Sequence, residues 1–370
     1  MKNKDIIEIK IEDLSDNGKG IGFINDNGKK YSIFVPLTVK GDLVKCKINN
    51  IKKLYIEADL IEIIEKSKYR IKAICKHFNE CGACDLLHIN YNEQINAKKR
   101  ILERYLKRNN LKYNDLIVIK SEKEHFYRDR SKFFKINNYF GFKKRRTNEI
   151  VKIDKCYIIN NELNKIFSKK TLKKIDDEII YGYCYKRKQI SKAKCVYYTK
   201  NHTMVYRPDL FVQSNLTMNN KLIEIVYNES EGKTLLDLYS GNGNFSIALS
   251  DKFNKIISVE GCDKSFKLLQ ENIKLNNINN IEPLNEDVNN FFIKTFDTII
   301  LDPPRTGTEN LINSIKFKTN KIIYISCNAK QTIKEIKQLD NFYIDKVYLI
   351  DMFPQTIHFE SVFVLERINN

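Results

Sequence analysis

No stretch of this sequence is apolar for long enough to cross a bilayer. The opening residues, Met1-Lys-Asn-Lys-Asp5, lead into alternating rather than continuous apolar residues, so no cleavable leader is expected. On these two absences a cytoplasmic protein with no membrane partner is expected. Acidic residues are the minority charge: 46 Asp+Glu stand against 64 Lys+Arg, a net charge of +18. Such an excess, where it clusters, points to a polyanionic partner, most simply nucleic acid. A full G-x-G-x-x-G is missing, and no Gly-Lys-Ser/Thr follows the one glycine-rich turn, so a phosphate cradle is not indicated. Among nine cysteines there is a single C-x-x-C pair. In a cytosolic chain, cysteines at this number argue against disulfides and for metal binding or catalysis.

What is present divides the 370 residues into three parts. Residues 1–62 read as all-β. Ile7-Glu-Ile-Lys-Ile11 alternates with period two, turns follow at Asp16-Asn-Gly18 and Asn25-Asp-Asn-Gly28, and further strands are expected at Tyr31–Val35, Leu43–Ile48 and Tyr55–Ile64. Five short strands in about sixty residues fit a small OB-like barrel of the kind that binds oligonucleotides. Residues 63–207 form a cysteine-rich α+β region. Cys75, Cys81 and Cys84 lie close together, with Gly82 freeing the backbone, and Cys156 follows far downstream. Thiolates this close can wrap one metal centre that a distant fourth closes. Structural zinc usually shows two C-x-x-C pairs, so four-cysteine ligation of an iron–sulfur cluster is the competing reading. Tyr91–Asn110 reads as a connector helix with Ile95, Leu102 and Leu106 along one side and solvated basic residues between. Residues 120–146 hold ten Lys/Arg against three acids, interleaved with Phe126, Tyr127, Phe133, Phe134, Tyr139, Phe140 and Phe142. Cations neutralise phosphates and aromatics stack on splayed bases. The alternation in Ser131–Ile136 also says strand, so only one or two of these rings are expected to stack. Residues 160–210 carry little readable chemistry beyond mixed α/β structure, and Cys184 and Cys195 read as small core residues.

From residue 208 onward strands and helices alternate, the mark of a Rossmann-like α/β domain with a parallel sheet. Thr234–Leu238 is an apolar strand, Ser240-Gly241-Asn242-Gly243 a turn, and Asn244 a cap for a helix expected from Phe245. Glu260 ends the next apolar run, 23 residues beyond Asp237, where an acid suits a ribose diol. Strands at Asp297–Leu301 and Lys321–Ser326 end at Asp302-Pro-Pro-Arg305 and Cys327-Asn328. Each special sequence falls at a strand's carboxyl end, where open α/β sheets bind ligands.

Phe211-Val-Gln-Ser-Asn215, Asp237-Leu-Tyr-Ser-Gly-Asn-Gly-Asn-Phe245, Val259-Glu-Gly261, Asp302-Pro-Pro-Arg305, Ser326-Cys-Asn328 and His358-Phe-Glu-Ser361 occur in this order. Together they resemble the S-adenosylmethionine-dependent RNA uracil-C5 methyltransferases. Leu14-Ser-Asp-Asn-Gly-Lys-Gly-Ile-Gly-Phe23 resembles the start of a TRAM domain, and the cysteine set resembles the 23S ribosomal RNA branch with a [4Fe–4S] cluster. The resemblance implies Cys327 as nucleophile toward uracil C6 and Glu360 as the base that removes the C5 proton. It implies a cofactor site for S-adenosyl-L-methionine formed by Gln213, Tyr239, Asn244, Glu260, Asp287 and Asp302. It assigns the cluster, or zinc as the alternative, to Cys75, Cys81, Cys84 and Cys156. The implied partner is 23S rRNA, naked or in an assembly intermediate, and the implied state is a monomer. Two alternatives stay open: a tRNA uracil-C5 methyltransferase, and a catalytically inactive RNA-binding or ribosome-assembly protein.

Overall fold

The structure is a computed structural model that describes residues 1–26, 28–137, 139–168, 178–199, 201–309 and 311–368. Part of the expected mixed segment 160–210, residues 169–177 and 200, therefore lies outside the described residues.

The amino-terminal strands are β1 (Ile6–Lys10), β2 (Asp13–Leu14), β3 (Gly20–Asp26), β4 (Lys29–Val35), β5 (Leu43–Ile51) and β6 (Tyr55–Glu65). There are six rather than the expected five, because a two-residue strand precedes the Asp16–Gly18 turn. They run in the order β1-β5-β6-β4-β3-β2. The sheet curls so that β3 meets β1: a Cβ on Gly22 would lie 2.8 Å from the Lys10 carbonyl oxygen, so only glycine allows this approach. Ile9, Ile33, Val35, Val44, Ile48 and Ile56 fill the interior. They are the inward half of the period-two pattern.

Helix α1 (Tyr91–Arg108) follows, capped by the Asn90 side chain, which accepts from the Glu93 N–H at 3.0 Å. The expectation of a wholly solvated basic face fails at Lys98. That side chain is fully buried and paired with Asp351 at 2.6 Å, because α1 lies against the carboxyl-terminal part of the chain rather than on the surface. Next comes β7 (Tyr113–Ile119). Strands β8 (Arg130–Ile136), β9 (Tyr139–Lys143), β10 (Ile150–Lys152), β11 (Glu178–Cys184) and β12 (Gln189–Ser191), with helix α2 (Asn161–Asn164) after β10, form a sheet ordered β10-β9-β8-β11-β12. Of the seven interleaved aromatics, Tyr127, Phe133, Phe140 and Phe142 are core. Tyr139 is exposed, with Lys152 Nζ 3.3 Å from its ring centre. A hairpin of β13 (Cys195–Tyr198) and β14 (Thr203–Tyr206) precedes helix α3 (Leu216–Glu229). Cys184 and Cys195 are core residues.

The remaining elements are β15 (Thr234–Leu238), β16 (Lys255–Val259), α4 (Asp263–Leu275), β17 (Ile281–Leu284), β18 (Thr298–Leu301), α5 (Leu311–Ile315), β19 (Lys321–Ser326), α6 (Ala329–Ile336), β20 (Phe342–Ile350) and β21 (Glu360–Arg367). They build an eight-stranded sheet in the order β17-β16-β15-β18-β19-β21-β20-β7. The strands from β17 to β19 are parallel, β21 is antiparallel to both its neighbours, and β7 adds in parallel to β20. The β7 strand comes from the segment read as the central region, so the 207/208 division does not separate this sheet from what precedes it.

No regular helix follows the glycine turn. Residues 241–252 form successive turns instead, mixing four-residue and three-residue hydrogen bonds such as Ile247 N–H to Gly243 O and Ser250 N–H to Ile247 O. The buried Asp237 carboxylate takes both the backbone N–H and the hydroxyl of Ser246, a side-chain partner that competes with a helical one. Among the described residues no helix is long and apolar enough to cross a membrane.

Candidate active site

The carboxyl ends of β18, β19 and the start of β21 converge. Register pairs Ser326 with Ser361, and the Ser361 hydroxyl donates to the Ser326 carbonyl at 3.1 Å. Cys327 and Glu360 are therefore the next residues beyond that pair, one on each strand. Glu360 is buried, whereas Cys327 is half-exposed in a cleft of about 270 Å³. Arg305, Asn328, Lys330 and His358 line the same cleft, and Asp16 from the barrel and Tyr105 from α1 close its far side. The Tyr105 hydroxyl donates to Asp16 at 2.5 Å. The Asn328 amide donates to the Arg305 carbonyl at 3.0 Å, which ties the loop after β18 to the loop after β19.

The charges here oppose one another. Burial and the Glu360 carboxylate raise the Cys327 thiol, while Arg305 counteracts them through a hydrogen bond and its charge. Burial and Asp302 push Glu360 well above the usual carboxylate range, again against Arg305. Burial and Asp237 raise Asp302 to about 7. Burial likewise raises Asp237 to about 7, with Glu260 adding to it and the Ser246 hydrogen bonds opposing it. Displaced carboxyls clustered in this way mark a site that handles charge or protons.

The expected cofactor residues separate into groups. Glu260 faces the glycine turn: its oxygens accept the Gly241 N–H at 2.8 Å and the Cys262 N–H at 2.7 Å. Tyr239 sits at φ +63° where β15 breaks into the turn. Burial and the Glu335, Asp287 and Glu309 carboxylates push its hydroxyl up to about 12. Asp287 is exposed beyond β17 and accepts the Asn289 N–H at 2.9 Å. Gln213 is buried just before α3. The Asn244 side chain does not cap a helix; its amide pairs reciprocally with Asn219 at 2.8 and 3.1 Å. An adenosyl ligand fits this notch on one specific ground. The Asp237 Oδ1 atom is buried with no hydrogen-bond partner among the described residues, and Asp237 lies near the end of the strand that runs into the glycine turn.

Cys75, Cys81, Cys84 and Cys156 line a single recess with Phe78, Leu87, Phe142 and Ile153. None is in a disulfide. Burial raises all four thiols, and the Cys81, Cys84 and Cys156 thiols are raised further by other cysteines of the set. Among the described residues, no three His, Cys, Asp or Glu side chains are grouped as ligands of one metal ion. Four cysteine thiols lining one recess are a donor set of the kind that can hold a metal centre. His77 is not part of the set; its Nε2 meets Asp154 at 2.7 Å.

The family model described as tRNA (Uracil-5-)-methyltransferase matches residues 183–292 and 287–368, and the TRAM domain model matches residues 2–61. The chain belongs to the uracil-5-methyltransferase family. Among family relatives, a 23S rRNA (uracil(1939)-C(5))-methyltransferase RlmD of Aliivibrio fischeri (strain ATCC 700601 / ES114) is 26% identical, over 96% of this chain and 94% of its own. An uncharacterised RNA methyltransferase of Mycoplasma mobile is 30% identical, over 98% of this chain and 99% of its own. The crystal structure of Pyrococcus abyssi tRNA (uracil-54, C5)-methyltransferase with S-adenosyl-L-homocysteine superposes with a TM-score of 0.80, over 97% of this chain and all of that one, at 22% identity. It has the same fold.

Several lining residues were not legible beforehand. Asp16 and Tyr105 are brought to the cleft by packing of the barrel and α1 against the large sheet; Asp16 lies in the TRAM-like turn, which gives no sign that it reaches this cleft, and Tyr105 sits in no motif. Arg305 carried a weak signal, as the residue closing Asp302-Pro-Pro.

Proposed function

We propose that this uracil-5-methyltransferase acts on 23S rRNA with S-adenosylmethionine as donor, through a transient bond from Cys327 to the base. The carrying observation is the β19–β21 register, which puts Cys327 and Glu360 directly beyond one strand pair, with Arg305 lining the cleft that holds Cys327 and its charge acting on both groups. Uracil C5 is a poor nucleophile. Addition of the Cys327 thiolate at C6 moves an electron pair onto the ring as an enolate and makes C5 nucleophilic. Arg305 favours the thiolate that this step needs. Bound S-adenosylmethionine supplies the methyl group from its sulfonium, and Glu260, Tyr239, Asp302, Gln213 and Asp287 would hold it. The Glu360 carboxylate then takes the C5 proton; the released pair re-forms the C5–C6 double bond and expels the Cys327 thiolate. The base gains CH₃ and loses H⁺, and the thiol side chain is regenerated.

The rRNA target rests on the near-full-length relative named for 23S rRNA and on the cysteine set. The cysteines would carry a [4Fe–4S] cluster that shapes the RNA-binding region, since methyl transfer from this donor needs no electron. The target uridine must leave its stack to reach Cys327, at a cost of a few kcal/mol. The barrel and the basic hairpin β8–β9 supply phosphate and stacking contacts against that cost. Nucleoside mass spectrometry of rRNA and tRNA from a deletion strain, complemented with wild type or Cys327→Ala, tests the whole reading. The expected result is 5-methyluridine missing from 23S rRNA and restored only by the wild type. Restoration by Cys327→Ala would overturn the mechanism, and loss from tRNA alone would overturn the target.

A further inference from the structure

The loop that delivers Glu360, residues 351–360, is held from outside the large sheet. The N–H groups of Asp85 and Leu86 both donate to the Gln355 carbonyl at 3.0 Å, and the Ile357 N–H donates to Asp85 Oδ2 at 3.3 Å. Gln355 itself sits at φ +68°, a conformation its neighbours must enforce. Asp85 directly follows Cys84. Its other oxygen, Oδ1, accepts from Arg145 Nη1 at 3.2 Å. Arg145 lies just beyond the basic hairpin strand β9, and its Nη2 donates to the Cys84 carbonyl at 2.5 Å and, more weakly, to those of Phe78 and Cys81. The backbone repeats the link: the Arg145 N–H donates to Glu80 O at 2.7 Å and the Gly82 N–H to Lys143 O at 3.0 Å. Arg145 Nε is buried and meets no acceptor among the described residues, so the guanidinium stays there despite a group left unsatisfied. Barrel, cysteine loop, basic hairpin and catalytic loop meet at this point, for Gly18 of the barrel turn also packs on Asp85 and Ile357.

We propose that Arg145 and Asp85 are positioning residues, joining the cysteine loop and the RNA-binding hairpin to the loop that aims Glu360 at the C5 proton. The inference rests on the reaction proposed above. Its sense is specific. Cys327 follows β19, and no hydrogen bond among the described residues joins Asp85 or Arg145 to it, so nucleophilic attack and methyl transfer feel the bridge only through the cleft wall at Ile357–Phe359. Proton removal depends on it directly, because Glu360 ends the bridged loop.

The test compares the wild-type holoenzyme with Asp85→Ala, Asp85→Asn and Arg145→Lys, each incubated with the methyl donor and an rRNA fragment. With 5-fluorouridine RNA, where no C5 proton can be removed, Asp85→Ala is expected to form the denaturation-resistant adduct within threefold of the wild-type rate. With ordinary RNA its turnover is expected to fall at least tenfold while a methylated covalent adduct accumulates, which the wild type does not show. Asp85→Asn keeps one acceptor and falls between the two. Hydrogen exchange over residues 351–360 gives a second readout, rising in Asp85→Ala and Arg145→Lys without added RNA. Equal slowing of trapping and turnover, or no accumulation of adduct, overturns the bridge and leaves the reaction standing. A wild type that traps no fluorinated RNA overturns the reaction and the bridge with it. If Asp85→Ala does not fold, Arg145→Lys decides by the same criteria.

Discussion

The proposed place of Asp302 in the donor site would make binding of the methyl donor depend on pH in a way that can be worked through. Its carboxyl is raised to about 7 by burial and by Asp237. The proposed donor is a cation at sulfur, so it favours the ionised carboxylate. An acid with a raised pKa is protonated below that value, so affinity must fall as pH drops through about 7. For binding to the ionised form alone, the apparent Kd is multiplied by one plus the ratio of protonated to ionised acid. That factor is about 11 at pH 6 and about 1.1 at pH 8, close to a tenfold loss across the interval. Titration calorimetry of S-adenosylmethionine at pH 6, 7 and 8 measures it directly. In Asp302→Asn the slope should flatten, with affinity at pH 8 below that of the wild type. The same sign applies to folding. Asp237 and Asp302 ionise less readily in the native state than in the unfolded chain, so their contribution to apo stability declines as pH rises from about 4 to about 7. The thermal shift given by the donor should therefore be larger at pH 8 than at pH 6. A Kd that is flat across this range, or an unchanged slope in Asp302→Asn, refutes the reasoning.

Three further outcomes are expected. Lys98→Met leaves Asp351 buried, with the Tyr91 hydroxyl at 2.8 Å as its remaining side-chain donor, and should cost about 3–5 kcal/mol in denaturant unfolding. Pairing it with Asp351→Leu should recover part of that loss, whereas additive losses would show that the two charges are uncoupled. Alanine at Lys143, Lys144 and Arg146, which are exposed beside the β9 hairpin, should weaken RNA binding and lower the slope of log affinity against log salt by up to about one per charge removed; an unchanged slope would take this hairpin out of the RNA site. Gly141→Ala puts a Cβ 2.0 Å from the Val151 carbonyl oxygen, so the β9–β10 pair must open, and a loss of about 1–3 kcal/mol by thermal unfolding is expected.

Local pattern carried the sequence reading wherever one segment decides its own structure. The apolar runs Thr234–Leu238 and Lys321–Ser326 are strands β15 and β19 to the residue, because a strand buried on both faces needs little beyond continuous apolar side chains. Asn215 caps α3 as a local signal would suggest, its side chain accepting from the Met218 N–H at 3.2 Å. The reading failed where distant groups intervene. A helix after Gly243 looked natural until Asp237, seven residues upstream of Asn244, proved to hold Ser246. Lys98 looked like one of many surface lysines, and Asp351, 253 positions away, together with the Phe353 carbonyl, makes it a core residue. The candidate site divides in the same way. Cys327, Glu360, Asp302 and Glu260 stand in short motifs at strand ends, whereas Asp16, Tyr105, Asp85 and Arg145 come from separate segments whose meeting depends on tertiary packing.

Strand β7 has a consequence for synthesis and for engineering. Its partner β20 begins more than 220 residues later, so a ribosome has made most of the polypeptide before Tyr113–Ile119 can find its place. Until then those seven residues wait as an unpaired ribbon, the kind of species that invites aggregation. A gene fragment starting near codon 208 would face the mirror-image difficulty, with Phe342–Ile350 left as a bare rim on a finished sheet. The piece to express when the catalytic half is wanted alone is one that carries residues 113–119 along with it.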